Sequence, residues 1–500
     1  MERFGKILRR NSDFHFSASA LMVFAYLYVF FSRIHRLVMF DSDDWLNISL
    51  PRNPIPLWHA WNPVKVLPET LFSMAGYFAA WFVAPVTGDY FFAVTAVSAA
   101  ITSVCIAAMF YVLCKTIEKV FCISSAACIG AALFFLESCF VIFCANDANN
   151  RFMFWAQNLT CYYHYVIPAI LNASLVLYLM KVGEMDVLYG QWAAWQKSLF
   201  VFAVYFAIFS NICDSVILAM YVAWDIALEI YRANGSIAGK IRGSFRNRRI
   251  FWIILMAWIV SLLFEANGGR SHAIGMDTSL RLRISESFSE FGSFAYSGTW
   301  AVLAALAVYT AIYLSIRNKA LEKREVLMVA TLRTAVCLAG VFAFLIIVCS
   351  KAGTGYAGRA DVMFGVFFYG VLFVAICIAF IVKNVPSANV FIVPLVLLVL
   401  GADTVYAGRS YAESNAGNHS PGYCLKVDRM IADQVKDAVQ QGKSQMILRV
   451  PKGDNRDNWP HAIYMGDRPI RTLYCHGVID NDSLKATAVE VDPSMDDPVK

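Results

Sequence analysis

Three aspartates stand at the start of the polar segment that follows the first apolar stretch of the chain. Asp41, Asp43 and Asp44 directly follow the first apolar stretch, in the sequence FDSDDW. Carboxylates at such short spacing repel one another, so the pKa of one of them rises or a cation binds beside them. Either result suits a general base or a metal ligand. The alternative interpretation is a hydrated acidic cap at the end of a helix.

Aromatic rings beside amides form a second candidate group, in the sequences WHAWN and FWAQNLTCYYHY. The apolar face of a sugar stacks on such rings while its hydroxyls bond to the amides. The alternative is an aromatic belt at the membrane interface. His59 could act as a base or be a solvated loop histidine. The candidate sugar ligands are His59, Trp61, Trp155, Tyr163 and His164.

Basic residues on the polar loops suit a phosphate group, because a guanidinium can grip a phosphate with two parallel hydrogen bonds. The alternative is that they neutralise the acidic loop or reach lipid head groups. On a strand, Arg281 and Arg283 would share one face because they lie two residues apart. The candidate phosphate ligands are Lys65, Arg270, Arg281, Arg283, Lys351 and Arg359.

The composition indicates which elements position these side chains. The chain has 500 residues, of which 59% are hydrophobic and 16% charged, whereas a soluble domain carries about a quarter charged residues. This predicts an all-α polytopic membrane protein and excludes a cytosolic enzyme. The basic residues are dispersed, so no nucleic-acid partner is expected.

About eleven segments approach the roughly 20 apolar residues of a membrane span: 15–34, 89–114, 120–144, 163–182, 198–212, 214–231, 250–265, 299–316, 326–350, 362–383 and 389–407.

The basic loops predict the orientation of these spans in a plasma (inner) membrane. The sequences KILRR, KIRGSFRNRR and RNKALEKR fall on one side, which is the cytoplasmic side by the positive-inside rule. The N-terminus is therefore cytoplasmic, and an odd number of spans places the C-terminus outside. The apolar stretch 69–86 is interpreted as a surface helix within an outer loop, 41–88, because a crossing there would move the basic loops outside.

The C-terminal residues 408–500 are polar and predict a small α/β domain outside the membrane, next to a transmembrane domain of residues 1–407. One stretch is helix-like (428–441) and one is strand-like (445–450). Cys424 and Cys475 could form a disulfide in an oxidising compartment.

Two classes of transporter are disfavoured. No Walker A motif or Rossmann fingerprint lies in a fitting context, and neither does a GxSxG or HExxH sequence, so ATP-driven transport is unsupported. An ion-coupled transporter carries charge at the membrane midplane, whereas the charge of this chain concentrates on one outer rim. This distribution favours an enzyme that faces outward.

The segments FDSDDW, WHAWNPVKVLPETLF and FWAQNLTCYYHYVIPAILN resemble those of the GT-C glycosyltransferases. Within that superfamily the chain looks most like bacterial multi-span enzymes that add glucose to O-antigen or decorate wall polymers. Asp41 and Glu69, in the matched segments, are candidates for substrate binding. Relatives often show Asn-Gly-Arg after the tryptophan, but this chain has Asn62-Pro63-Val64-Lys65. Lys65 would replace that cation.

The resemblance implies an inverting hexosyltransferase that uses a sugar on a polyprenyl-phosphate carrier and a cell-envelope glycan as acceptor. By match, Asp43 or Asp44 would deprotonate or orient the acceptor hydroxyl. Arginine or lysine groups would stabilise the departing lipid phosphate, and a divalent cation such as Mg²⁺ or Mn²⁺ could assist. Two other functions stay open: a non-catalytic translocase of polysaccharide or lipid-linked sugar, and an outward-facing polymer ligase.

Overall fold

The computed structural model describes most of the chain and consists mainly of helices. The described residues are 2–39, 42–50, 63–142, 153–156, 158–266, 279–294, 298–385, 387, 394, 398, 401–402, 421–451 and 465–491. The helices of the first half are α1 (Glu2–Val29), α2 (Ser42–Asn47), α3 (Val66–Thr87), α4 (Tyr90–Phe121), α5 (Ser125–Val141), α6 (Leu159–Val182), α7 (Met185–Gln191), α8 (Ala194–Ile208) and α9 (Ile212–Arg232). The remaining elements are α10 (Ile237–Asn247), α11 (Arg249–Ala266), α12 (Leu280–Gly292), α13 (Gly298–Arg317), α14 (Arg324–Ala352), α15 (Phe364–Asn384), α16 (Pro421–Gln440), β1 (Gln445–Pro451), α17 (Arg468–Cys475) and β2 (Lys485–Val491).

Eight helices among the described residues are long and apolar enough to cross a membrane: Ser12–Ile34, Val66–Thr87, Tyr90–Phe121, Leu159–Val182, Arg249–Ala266, Gly298–Arg317, Arg324–Ala352 and Phe364–Asn384. The chain is thus a helical protein with the composition of a multi-pass membrane protein. Seven of the eight overlap spans predicted from the sequence. The eighth, α3, covers the stretch 69–86, which the sequence predicted to lie on the membrane surface.

The predicted count of eleven spans is not confirmed. Helices α5 and α8 have 17 and 15 residues, which is short for a bilayer core of about 30 Å at 1.5 Å per residue. Helix α9 is long enough, but it carries Asp214, Asp225, Glu229 and Arg232. The predicted span 389–407 lies almost wholly outside the described residues.

The chain divides into two compact units. We call residues 1–23, 105–149 and 167–406 the bundle unit, and residues 24–104, 150–166 and 407–500 the aspartate unit. Helices α1, α4 and α6 contribute residues to both. The predicted domain boundary at residue 407 stays a prediction.

In the bundle unit, α15 packs against α14, and α9 packs against α11, α14 and the later part of α6. Helix α15 is apolar around its circumference and almost fully buried, as expected of a helix inside a core. A Cβ at Gly365 would lie 2.8 Å from Val341 and 2.9 Å from Ile217, so this glycine permits α9, α14 and α15 to approach closely. Asp225, on the buried face of α9, pairs with Arg248 at 3.1 Å and with Arg333 at 3.6 Å.

In the aspartate unit, α16 packs on a two-stranded parallel sheet. The strands β1 and β2 pair from Gln445↔Lys485 to Pro451↔Val491. Parallel strands need a crossover connection, and α17 lies in it. The predicted strand 445–450 is confirmed as β1, and the predicted helix 428–441 corresponds to α16, which begins earlier. Cys424 and Cys475 are not joined in a disulfide.

The C-terminal tail also contacts α2, within the same unit. Helix α17 packs on α2. The Thr472 hydroxyl donates a hydrogen bond to the carbonyl oxygen of Trp45, and it lies 2.9 Å from the hydroxyl of Ser49. Trp45, Ser49 and Thr472 are all buried.

Close packing in the aspartate unit predicts that Gly76→Ala is destabilising. A Cβ at Gly76 would lie 2.5 Å from a side-chain carbon of Ile48 and 2.6 Å from its carbonyl oxygen, so α3 would have to move. Overpacking of this kind costs about 1–3 kcal/mol. We expect a lower thermal midpoint for the full chain in detergent, followed by tryptophan fluorescence. Gly190→Ala is the matched control, because nothing lies within 4 Å of its Cβ. An equal change in both variants would contradict the packing argument.

Candidate functional site: the aspartates of α2 and the cleft beside α17

The two aspartates of α2 differ in environment. The side chain of Asp43 is 58% exposed, whereas Asp44 is 0% exposed. Consecutive residues on a helix point in different directions, so one faces solvent and the other faces the core. A base must reach a substrate hydroxyl, and in the described structure only Asp43 of this pair meets that requirement.

Asp44 fixes the start of α6. Its Oδ1 atom accepts hydrogen bonds from the backbone N of Thr160 at 2.6 Å and from the Thr160 hydroxyl at 2.5 Å. The first N–H groups of a helix have no partner inside the helix. Asn158, at the N-cap position, makes no side-chain capping bond. A carboxylate from a distant segment therefore supplies the cap.

Asp43 is linked to a cation from the C-terminal tail. Arg468, the first residue of α17, donates from Nη1 to Oδ1 of Asp43 at 3.1 Å and to the hydroxyl of Ser42 at 3.0 Å. The ion pair is exposed, with 33% of the Arg468 side chain and 58% of the Asp43 side chain accessible. The contact joins a residue of the predicted acidic site to a basic residue that sequence reasoning did not select.

A cleft of about 280 Å³ lies beside this pair. Its lining consists of Trp45, Leu46, Ser49, Met465, Gly466, Asp467, Arg468 and Arg471. Asp467 is engaged elsewhere, since it accepts from Lys485 at 3.1 Å and from the backbone N of Ala486 at 2.8 Å. Arg471 is exposed and makes no ion pair with the residues that the structure describes. Arg468, Arg471 and the buried Trp45 thus line the same cleft. Two guanidinium groups in one cleft suit a phosphorylated ligand.

Two buried titratable groups lie in the same unit. Asp428 on α16 is fully buried, and neither carboxyl oxygen receives a hydrogen bond from a described residue. Burial, together with the nearby charge of Asp44, raises the pKa of Asp428 well above its usual range. The Tyr90 hydroxyl lies 2.6 Å from Nδ1 of His476, and burial lowers the pKa of His476 to about 4. Burial therefore favours the protonated form of Asp428, and near neutral pH the imidazole of His476 is uncharged.

Sequence reasoning missed Asp428, although a signal was present. Helix α16 reads CLKVDRMIADQV from Cys424. Cys424, Val427, Ile431 and Val435 are buried at helical spacing, and Asp428 occupies the same face. An aspartate on an apolar helix face indicates a buried carboxyl group.

The predicted aromatic sugar ligands are packed in the interior of the aspartate unit. Trp155 and Tyr163 are 2% and 1% exposed. The ring of Tyr163 stacks on Phe72 with 4.4 Å between centroids, and its hydroxyl lies 3.2 Å from that of Ser98. The ring of Trp155 meets His35 edge-on at 5.7 Å. His164 is half-buried in the π-helical segment Tyr162–Val166 of α6. The rings of Trp155 and Tyr163 are thus covered by other groups of the protein and present almost no surface on which a sugar could stack.

The other candidates of the first loop are only partly described. Lys65 precedes α3 with a left-handed backbone, φ 65°, and Glu69 lies half-buried in the first turn of α3. The candidates Asp41, His59, Trp61 and Arg270 lie outside the described residues.

The remaining predicted phosphate ligands belong to the bundle unit. Arg281 and Arg283 lie on helix α12 and not on a strand, so the condition under which they would share one face is not met. Two residues apart on a helix, they do not share a face: Arg281 is exposed and Arg283 is half-buried. Lys351 is exposed in the last turn of α14. Arg359 donates from Nε and Nη2 to the fully buried carboxylate of Asp361, at 3.1 and 2.7 Å.

A second buried carboxyl group lies near Asp361 in the bundle unit. Asp214, in the first turn of α9, is fully buried, and its two oxygens accept no hydrogen bond from the described part of the chain. As for metals, the described residues contain no group of three or more His, Cys, Asp or Glu side chains placed to hold an ion.

The raised pKa of Asp428 predicts how its substitution changes stability with pH. A carboxyl group with a raised folded-state pKa stabilises the fold fully below its unfolded pKa of about 3.9 and loses that contribution as pH rises. We expect Asp428→Asn to be more stable than the parent at neutral pH, by a margin that grows by up to about 1.4 kcal/mol per pH unit above about pH 4.

Thermal midpoints of both proteins from acid to neutral pH test this expectation. His476 titrates in both proteins, so its contribution cancels in the difference. Asp437→Asn, on the exposed side of α16, is the control and should track the parent. A midpoint difference that does not change with pH would show that Asp428 is ionised in the folded protein.

Comparison with known proteins gives no family for this chain. No protein-family model matches it. No curated protein matches it, and no solved structure does so either. A functional assignment depends on the residues of this chain, on their geometry and on the motif resemblance described above.

Proposed function

We propose that the chain is a membrane glycosyltransferase. It moves a sugar from a polyprenyl-phosphate carrier to a cell-envelope glycan on the outer side of the plasma (inner) membrane. The observation that carries the proposal is the exposed carboxylate of Asp43, which pairs with Arg468 beside a cleft that Arg471 also lines. A carboxylate base paired with one of the two cations that line a cleft suits sugar transfer from a phosphate leaving group.

The reaction assigns one role to each of these groups. The Asp43 carboxylate takes the proton of the acceptor hydroxyl, and the hydroxyl oxygen forms a bond to the anomeric carbon. The bond from that carbon to the carrier phosphate breaks, and the phosphate keeps the electron pair. Arg471 binds the carrier phosphate, and Arg468 stabilises the negative charge that develops on it. A single displacement of this kind inverts the anomeric centre.

Asp44 acts as a positioning residue in this proposal. It is buried, and its Oδ1 atom accepts two hydrogen bonds from Thr160. It holds α2 against the start of α6, and this contact sets the direction of the neighbouring Asp43. Of the two aspartates matched by the motif, Asp43 is thus the proposed base.

A translocase of lipid-linked sugar or polysaccharide is the second candidate function. The buried Asp214 favours it, because unpaired acids inside membrane proteins often mark ion pathways. Asp214→Asn separates the two functions: it would abolish transport coupled to a proton gradient in proteoliposomes, whereas a glycosyltransferase that folds normally would keep sugar transfer.

The base assignment predicts that Asp43→Asn loses sugar transfer. The amide cannot accept the proton, and loss of general base catalysis costs about 10²–10⁴-fold in rate. Two measurements test this. The first is whether the variant restores the envelope glycan in a strain that lacks the gene, and the second is whether the purified variant still binds the lipid-linked donor. We expect the variant to be expressed and to bind the donor as the parent protein does.

Asp437→Asn, at an exposed position of α16, is the matched control and should restore the glycan fully. Full restoration by Asp43→Asn would place the base elsewhere. An unchanged glycan in the strain that lacks the gene would contradict the transferase itself.

The phosphate assignment predicts that Arg471→Gln raises KM for the donor. A hydrogen bond to a charged group contributes about 1.5–3 kcal/mol, which is about 10–100-fold, while kcat should change less. Transfer kinetics with a monophosphate donor and a diphosphate donor measure this effect, and Arg471→Lys should recover part of it. Lys443→Gln, an exposed cation after α16, is the control. Equal KM values for Arg471→Gln and the parent would remove Arg471 from the site.

A further inference from the structure

Helix α10 carries a surface that the proposed reaction does not use. Ser236 caps the helix by accepting from the backbone N of Gly239 at 3.2 Å. The Trp252 indole donates to the buried hydroxyl of Ser244 at 3.3 Å, which holds α10 against the start of α11. Arg249–Ala266 is a candidate membrane span. Helix α10 comes just before the first residue of that span.

One face of α10 is apolar and exposed. Ile237, Ile241 and Phe245 are 77%, 44% and 52% exposed. They lie four residues apart, so they form one row along the helix. Single exposed apolar residues are common on protein surfaces, but three in a row on an 11-residue helix form a continuous strip. Such a strip is typical of a helix that lies in a membrane interface.

The charge of this segment is entirely positive. Residues 236–249 contain Lys240, Arg242, Arg246, Arg248 and Arg249 and no acidic residue. Arg248 is engaged internally, with Asp225 at 3.1 Å and with the carbonyl oxygen of Gly183 at 3.1 Å. Arg242 and Arg246 are exposed, one turn apart, and make no ion pair with any described residue. Two guanidinium groups are thus available to an anionic partner.

The basic and apolar groups meet in one concavity. An open hollow of about 580 Å³ is lined by Ala238, Ile241, Arg242, Phe245 and Arg246. A phosphodiester with attached acyl chains matches this lining, because the guanidinium groups can bind its phosphate while Ile241 and Phe245 contact its apolar part. An acidic peptide or a free phosphate would use the arginines and leave the apolar residues in water.

We propose that α10 binds the head group of an anionic phospholipid in the leaflet beside the start of α11. Arg242 and Arg246 contact the phosphate, and Ile241 and Phe245 enter the boundary between head groups and acyl chains. The site is separate from the glycosyl-transfer cleft and does not depend on that function. A basic residue at an anionic membrane surface contributes about fivefold in affinity, so the two arginines together contribute about 25-fold.

Hydrogen exchange of the full chain in lipid nanodiscs tests the site locally. Amides of 237–247 should exchange more slowly in nanodiscs that mix phosphatidylcholine with phosphatidylglycerol than in pure phosphatidylcholine. The double variant Arg242→Gln/Arg246→Gln should lose this difference. Phe245→Ser should exchange faster than the parent in both lipids. Unchanged exchange in α14 and α15 reports that each variant is folded.

The matched control is Lys436→Gln/Lys443→Gln, which removes two charges from the C-terminal segment and should keep the full lipid response of α10. Equal exchange of 237–247 in the two lipids would overturn the proposal, as would a lipid response that survives in the arginine double variant. Protection of α10 by inorganic phosphate or polyglutamate in detergent, equal to that by phosphatidylglycerol, would mean that charge alone acts there and would also overturn it.

Discussion

The buried carboxylate of Asp44 is the contact on which the aspartate unit depends. It joins α2 to the first turn of α6 through two hydrogen bonds to Thr160. The next residue, Trp45, accepts from Thr472 of α17 through its backbone carbonyl. Two adjacent residues of a short helix thus bind two segments that are far away in sequence. Loss of a buried charged acceptor costs about 1–3 kcal/mol or more, so the arrangement tolerates little change.

The exposed pair follows from these buried contacts. Arg468 lies four residues before Thr472, one turn away on α17, and Asp43 lies one residue before Asp44. Once Thr472 is docked on Trp45 and Ser49, the Arg468 guanidinium reaches Asp43 at 3.1 Å. The residues proposed for chemistry need no rigid support of their own, because buried neighbours on the same helices position them.

Two buried carboxyl groups near each other constrain the charge state of this unit. Both Asp44 and Asp428 are fully buried, and two carboxylates in a low-dielectric interior cannot both ionise cheaply. Asp44 receives two hydrogen bonds from Thr160, and Asp428 receives none from the described residues. The proton therefore belongs on Asp428, as its raised pKa indicates.

Sequence patterns predicted the elements of this protein better than its contacts. Seven apolar segments became long apolar helices, and the QMILRV alternation became β1, since both signals are local. Arg281 and Arg283 would share one face on a strand, but Ser279 caps a helix there by accepting from the backbone N of Leu282 at 3.4 Å. The different burial of Asp43 and Asp44 could not be read from FDSDDW, because Thr160 lies 116 residues away. Arg468 was equally hidden, 425 residues from Asp43.

The pairing of each arginine decides whether it is available to a ligand. Arg359 holds the fully buried Asp361, and Arg248 holds the nearly buried Asp225. Removing one partner of a buried pair costs about 3–5 kcal/mol, so a phosphate would have to exceed that cost to recruit either one. The exposed pair of Arg468 and Asp43 contributes only about 0–1 kcal/mol, and Arg468 can exchange its partner for a phosphate at little cost. Exposed cations such as those of α17 and α10 are therefore better suited to anionic ligands than Arg359 and Arg248. A count of basic residues in the sequence cannot distinguish the two groups.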